Sequence, residues 1–247
     1  DLRSHFGSRS LLTPRQQGEG APRQPRLPGS QRRRQMSSLK FREEPKGQVK
    51  LARESLQILK QKPDDKDVAR ETSKLVFTAD PVKKFAGKGH WFELRVEEFM
   101  GGSLSLMALG YTSTDPGSLA QVEEGEEPPP CPAHPEQVPQ AYVAGYARSA
   151  FWDGERIEIE PIFEEVKPYK IFTIGALATL GGVLEIYINR RLVISIDGTM
   201  RGMSAIDTDT PLWAIVDAGG GLKKATLLTD SVPPSPEEDA GSPVPEE

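Results

Sequence analysis

At 247 residues, with 36% hydrophobic residues and a formal charge of −5, the chain can hold one large or two small domains, but it is too poor in apolar residues to be folded throughout. Its single cysteine excludes an internal disulfide and a cysteine-rich zinc site, and no apolar run approaches the roughly 18 residues that a membrane-crossing helix needs. The first 40 residues are strongly basic, residues 230–247 carry acids and no Lys or Arg, and the stretch between is mildly acidic, which disfavours nucleic-acid binding by the folded part.

Residues 1–44 read as a disordered basic arm, rich in arginine and proline and nearly devoid of aliphatic residues that could repay chain ordering. The chain begins at Asp1 without an initiator methionine, so a fragment or a processed product is expected. A cytoplasmic address is the default, given the cysteine usage. A nuclear or organelle address is the alternative if the arm, with "QRRRQ" at 31–35, is a targeting segment. Val49, Ala52, Leu56 and Leu59 recur at helical spacing and predict one amphipathic helix over 45–62, followed by a charged connector over 63–74.

From Leu75 the period changes to two. "HWFELRVEEF" alternates Phe92, Leu94 and Val96 with Glu93, Arg95 and Glu97, which describes a strand with one dry and one wet face. "SLSLMALGYTS" (103–113) is apolar on both faces and reads as a central strand. In "GGVLEIYINRRLVISIDG" two strands meet at Asn189-Arg190-Arg191, with Leu184, Ile186 and Ile188 on a dry face that Leu192, Ile194 and Ile196 continue. "PLWAIVDA" and "LKKATLL" make a further pair joined by Gly219-Gly220-Gly221. Short strands with turn signals between them, and no helical pattern, predict an all-β antiparallel sandwich over 75–229. The proline-rich acidic end, 230–247, is expected to be a disordered tail.

The glycines at 219–221 do not make a phosphate loop, because no Gly-Lys-Ser/Thr leads into a helix there. "GKGHWF" (87–92) lacks the third glycine and the helix of a dinucleotide site. His5, His90 and His134 stand in unrelated contexts, and "CPAH" (131–134) is half a metal site without a second half. Glu158 and Glu160 share one face of "GERIEIEP", the pattern of a solvated strand face; a glycan-binding or glycan-cleaving sandwich is the alternative. No enzyme, metal or cofactor is expected.

Three stretches carry a family likeness. "LVFTADPVKKFAGKGHWFELRVEEFMGGSLSLMALGYTSTDP", "GGVLEIYINRRLV" and "DTPLWAIVDAGGGLKKATLL" resemble, in order, the strands of the Neuralized homology repeat, over about residues 75–229. Most specific are "MALGYTSTDP" and "PLWAIVDAGGG". In "LEIYINRR", Arg190 stands where the family's turn usually has glycine, a departure that makes the hairpin less ideal. The resemblance implies a concanavalin-like, SPRY-related jelly roll and a non-catalytic role in binding protein segments, with substrate recognition in ubiquitin ligation as the family's frequent use. One cysteine cannot hold a RING, so the ligase connection would be that of an adaptor with a ubiquitin-ligase component as partner.

Loops gathered at one end of a sandwich are the expected recognition surface. The proline-rich insertion 120–140 reads as a mobile loop, and the segment after it concentrates Tyr142, Tyr146, Phe151 and Trp152 beside Arg148 and Asp153. Tyr142, Tyr146, Arg148, Trp152 and Asp153 are the candidate partner-binding residues, with a core role the alternative for the aromatics. Trp91 and Trp213 are assigned to the core. A second functional reading is a structural subunit of a larger assembly, docked through the basic arm and the 45–62 helix.

Overall fold

The computed structural model describes residues 39–42, 49–54, 56–60, 74–99, 106–119, 132–146, 148–160, 171–219 and 221–235. Residues 1–38 and 43–44 of the arm expected over 1–44, 63–73 of the connector, 120–131 of the insertion and 236–247 of the tail lie outside the described residues, whereas Phe41, inside the expected arm, is buried in the core and bridges to Thr78. In chain order the strands are Val49–Ala52 (β1), Gln57–Lys60 (β2), Leu75–Phe77 (β3), Lys84–Phe85 (β4), Gly89–Phe99 (β5), Leu106–Thr112 (β6), Ala141–Tyr146 (β7), Ser149–Trp152 (β8), Glu155–Glu158 (β9), Phe172–Thr179 (β10), Leu184–Ile188 (β11), Arg191–Ile196 (β12), Trp213–Asp217 (β13) and Leu222–Leu227 (β14). A one-turn helix, Pro116–Leu119 (α1), follows β6.

Among the described residues the strands form two antiparallel sheets. One runs β1-β2-β14-β5-β10-β11-β12, with β4 alongside the start of β5; the other runs β3-β13-β6-β7-β8-β9. Phe92, Leu94 and Val96 from the first sheet and Met107, Leu109, Tyr111 and Val216 from the second meet in one dry core. The antiparallel sandwich expected from the two-residue period is the architecture that forms. Residues 106–112 are also as expected: β6 lies inside its sheet, dry on the far face too, where Ala108, Ile215, Phe77 and Val143 form a second cluster.

Residues 49–60 are a β-hairpin, not the helix expected over 45–62. Arg53 and Glu54, both in the left-handed region at φ 51° and 55°, turn the chain. An isolated four-turn helix is marginal and would bury only a narrow stripe. As strands, the same residues cover an open edge of β14 and put Ile58 wholly inside the core, so tertiary pairing overrides the local period. A polar cluster fixes the junction: Gln57 Nε2 donates to Glu97 Oε2 (3.1 Å) and Thr226 Oγ1 (3.0 Å), and Lys224 Nζ lies 2.9 Å from Glu97 Oε2. The Lys224 ammonium holds the Glu97 carboxyl below the usual range.

Four positions of "MALGYTSTDP" do clear structural work: Gly110, Tyr111, Thr112 and Asp115. A Cβ at Gly110 would fall 1.8 Å from the carbonyl oxygen of Tyr142, so only glycine lets β6 and β7 pair this closely. The Tyr111 hydroxyl, fully buried, reaches across the core to the carbonyls of His90 (2.7 Å) and Ala176 (2.6 Å), tying one sheet to the other. Thr112 donates to the Pro139 carbonyl, and Asp115 Oδ1 accepts from the Gly117 amide at the start of α1.

Several local expectations are corrected. Leu192 leaves the dry face: a bulge in β12 sets it opposite Tyr187 on the outer face of the sheet, 38% exposed. Trp91 is a core residue as expected, in a cluster of its own with Leu177 and Tyr187, whereas Trp213 is only half-buried. Residues 132–140 of the insertion are anchored by buried Pro135 and Val138, the latter in the second cluster, while residues 134, 136, 137, 139 and 140 are exposed. The first residues of the tail are also packed: Pro233 and Pro234 are buried, and Glu93, expected on a wet face, is buried close by.

Candidate protein-binding surface

The five residues singled out in the sequence do not share one surface. Tyr142 and Trp152 face each other edge-to-face inside the core, 1% of Trp152 being exposed, and the Trp152 indole donates to the Ser204 carbonyl (2.9 Å). They face inward because Ala144, Tyr142 and their cross-strand partners alternate toward the other sheet, and register carries Trp152 with them. This corrects their assignment to a binding surface: neither ring is accessible to a partner. Asp153 is exposed at the β8–β9 turn, where its Oδ1 accepts from the Gln140 amide (3.0 Å). Arg148 is exposed at the opposite, β7–β8, turn.

Tyr146 stands with Arg148. It crosses the outer face of β6 and donates to Asp217 Oδ2 at 2.5 Å, while Asp217 Oδ1 accepts from the Gly219 amide (2.8 Å). Burial pushes the Asp217 carboxyl above the ordinary carboxylate range, and the Tyr146 and Gly219 bonds pull it back. Burial, with the Asp217 charge behind it, pushes the Tyr146 phenol well up, so the phenol remains the donor. This pair answers what "VDAGGG" is for. The aspartate is the hub that fixes two turns, the β7–β8 turn and the β13–β14 turn, at one end of the sandwich.

Two ammonium groups gather near the hub. Lys60, at the end of β2, has its pKa lowered by burial and next by the charge of Lys74, with Asp217 opposing. Lys60 and Lys74, with Arg148 on the β7–β8 turn, are the cations of a rim at this end, where the charge of Glu136 also acts on Tyr146; sequence reading passed over both lysines, and only the register of β2 and β3 beside β14 and β13 brings them there. Glu158 is exposed on edge strand β9 and Glu160 is exposed just past it, in keeping with a solvated face. Among the described residues no group of three or more His, Cys, Asp or Glu is arranged to hold a metal ion.

A scan of family models matches the Neuralized family over residues 61–229. The chain belongs to the Neuralized family. The Neuralized match leaves β1 and β2 before it and residues 230–235 after it, although all are packed on the same sandwich. Among solved structures, the crystal structure of the Drosophila melanogaster neuralized-NHR1 domain is 18% identical, with 78% of this chain and 99% of that one covered at a TM-score of 0.49. The solution structure of the NEUZ (NHR) domain in Neuralized from Drosophila melanogaster is 18% identical, covering 78% and 93% at 0.47. The crystal structure of the TRIM65 PSpry domain is 16% identical, covering 77% and 89% at 0.44. A search of curated proteins finds no match.

Proposed function

We propose that this chain is a non-catalytic protein-interaction module that grips a partner segment at the end of the sandwich carrying Tyr146 and Arg148. Membership of the Neuralized family, whose domains are recognised as binding modules, is the observation that supports the reading. The hub of Tyr146 and Asp217 holds the two turns rigid, which limits the ordering cost of binding there, and the rim of Arg148, Lys60 and Lys74 favours an acidic segment. A role as substrate adaptor in ubiquitin ligation is the finer proposal, the catalytic step being supplied by a separate ligase component. Asp153 lies at the other end and Tyr142 and Trp152 lie in the core, so they have no direct part in this reading.

The test is affinity capture with the full chain against Arg148→Glu combined with Lys74→Glu, both checked for an unchanged circular dichroism spectrum. A partner held by the first and lost by the second, increasingly so as salt is lowered, is the expected result. A partner held equally by both places recognition elsewhere on the molecule. Recovery of ubiquitin-ligase subunits with the wild-type chain alone is what the adaptor role requires.

A further inference from the structure

The outer face of the eight-stranded sheet is covered by a short piece of the chain's own C-terminal side. After β14 the chain leaves the sheet, because the edge of β5 beyond it is occupied by β4, and it crosses the outer face as Asp-Ser-Val-Pro-Pro. Beneath it the Trp91 ring lies over Gly175, where any Cβ would sit 2.3 Å from the indole, and meets Tyr187 edge-to-face at 5.5 Å. Phe85 packs against the same cluster.

The contacts have a common chemistry. Trp91 Nε1 donates to Ser231 Oγ (2.7 Å), and that hydroxyl donates to Glu93 Oε2 (2.5 Å). Arg190 Nη2 donates to the Val232 carbonyl (3.1 Å) while its Nη1 reaches Glu93 Oε2 (3.4 Å). Lys88 Nζ donates to the Pro234 carbonyl (2.5 Å) and, at 3.4 Å, to that of Pro233. The two prolines are buried, whereas Val232 is 54% exposed. The rim therefore offers donors to three successive carbonyls, and the Glu93 carboxylate is engaged by the Ser231 hydroxyl and by Arg190. A segment of consecutive prolines has carbonyls and no N–H groups, so it is the backbone that such a rim satisfies completely. An extended proline segment is also already stiff, which lowers the ordering cost of docking it.

Arg190 connects this face to the departure in the turn. It occupies the left-handed region at φ 67°, next to Asn189 at 48°, a conformation that disfavours a side chain. Glycine would relax the turn and lose both guanidinium contacts, so the arginine trades local strain for a hold on Glu93 and the crossing segment.

We propose that the face framed by Lys88, Trp91, Glu93, Tyr187 and Arg190 is a binding site for Ser-Xaa-Pro-Pro segments of a partner protein, and that residues 231–234 fill it in cis until such a segment displaces them. The site is separate from the cationic end and takes a different class of ligand. Its selectivity lies in the hydroxyl, held between Trp91 and Glu93, and in the proline pair; the residue at Xaa faces solvent and is free to vary.

The experiment is a titration of full-length chains with a fluorescein-labelled peptide of residues 230–236, followed by anisotropy. Ser231→Asp sets a carboxylate against Glu93 and frees the groove; if the segment occupies it nine-tenths of the time, affinity for the peptide rises about tenfold over wild type. Lys88→Ala added to Ser231→Asp abolishes that gain, as does a peptide with Ala in place of its first serine. Should Ser231→Asp fail to fold, the wild-type chain with millimolar peptide is followed by the Trp91 indole N–H resonance, which must shift saturably. A folded Ser231→Asp that binds no more tightly than wild type, or an indole that stays unmoved, overturns the proposal. Concentration-dependent dimers of the wild-type chain that exclude the peptide overturn the partner assignment in favour of exchange between copies.

Discussion

The pair of Tyr146 and Asp217 is the residue-scale feature whose energetics are most open to measurement. Removing the phenol hydroxyl leaves a buried carboxylate one donor short, so Tyr146→Phe is expected to lower stability by about 1–3 kcal/mol at neutral pH, read from urea unfolding. The pH dependence follows from the direction of the shift. Burial already raises Asp217 in the folded state and the Tyr146 bond opposes that, so the substitution raises it further. A folded state that binds its proton more readily loses stability as pH rises. The gap between wild type and Tyr146→Phe must therefore widen as pH rises from the wild-type to the variant carboxyl pKa, and stay level outside that window. A gap that narrows with rising pH would show that Asp217 is not the group being stabilised. The sequence made the aspartate conspicuous through its glycines and Tyr146 through its aromatic neighbours, but it did not show that the two would pair, because their meeting depends on how β6 lies between β7 and β13.

Among the elements, the hairpin of β1 and β2 is where reading the sequence failed, and the reason is instructive. Val49, Ala52, Leu56 and Leu59 fit a helical stripe, but Ile58, which that stripe leaves out, is the residue the fold buries completely. A local period cannot register that β14 offers an unpaired edge far along the chain, nor that Gln57 will bond to Thr226, 169 residues on. If the hairpin is integral, Ile58→Ala costs about 2–4 kcal/mol by the usual penalty for deleting buried methyl groups, and thermal melts should remain a single transition. A loss below roughly 0.5 kcal/mol, typical of exposed positions, would mean that the hairpin frays from the sheet. By contrast β5, β6, β11 and β13 were legible, because each is either strictly alternating or dry on both faces, and either pattern survives transfer into any sandwich. The bulge in β12 was not, since nothing in "RLVISI" marks which residue will go unpaired.

At the scale of the whole molecule, the fold class and family could be read from two motifs whose residues turn out to serve packing. Gly110 admits β7, Tyr111 bridges the sheets and Asp217 anchors the turns, so the strongest sequence signals report the scaffold. The candidate surfaces were less visible, because Lys60, Lys74, Lys88 and Arg190 are ordinary surface residues until topology assembles them. The family match begins at residue 61, yet β2 is what covers β14, and it ends at 229, just before the residues that cover Trp91. Cutting the chain at those two positions would therefore bare a run of unpaired backbone amides along one margin and an indole-lined surface beside it. Such a piece should self-associate, with light scattering rising steeply with concentration, while a piece spanning 39–235 stays monodisperse. The limits within which this domain can be inherited, spliced or cleaved without becoming sticky are thus wider than its family signature, by one hairpin on one side and a handful of residues on the other.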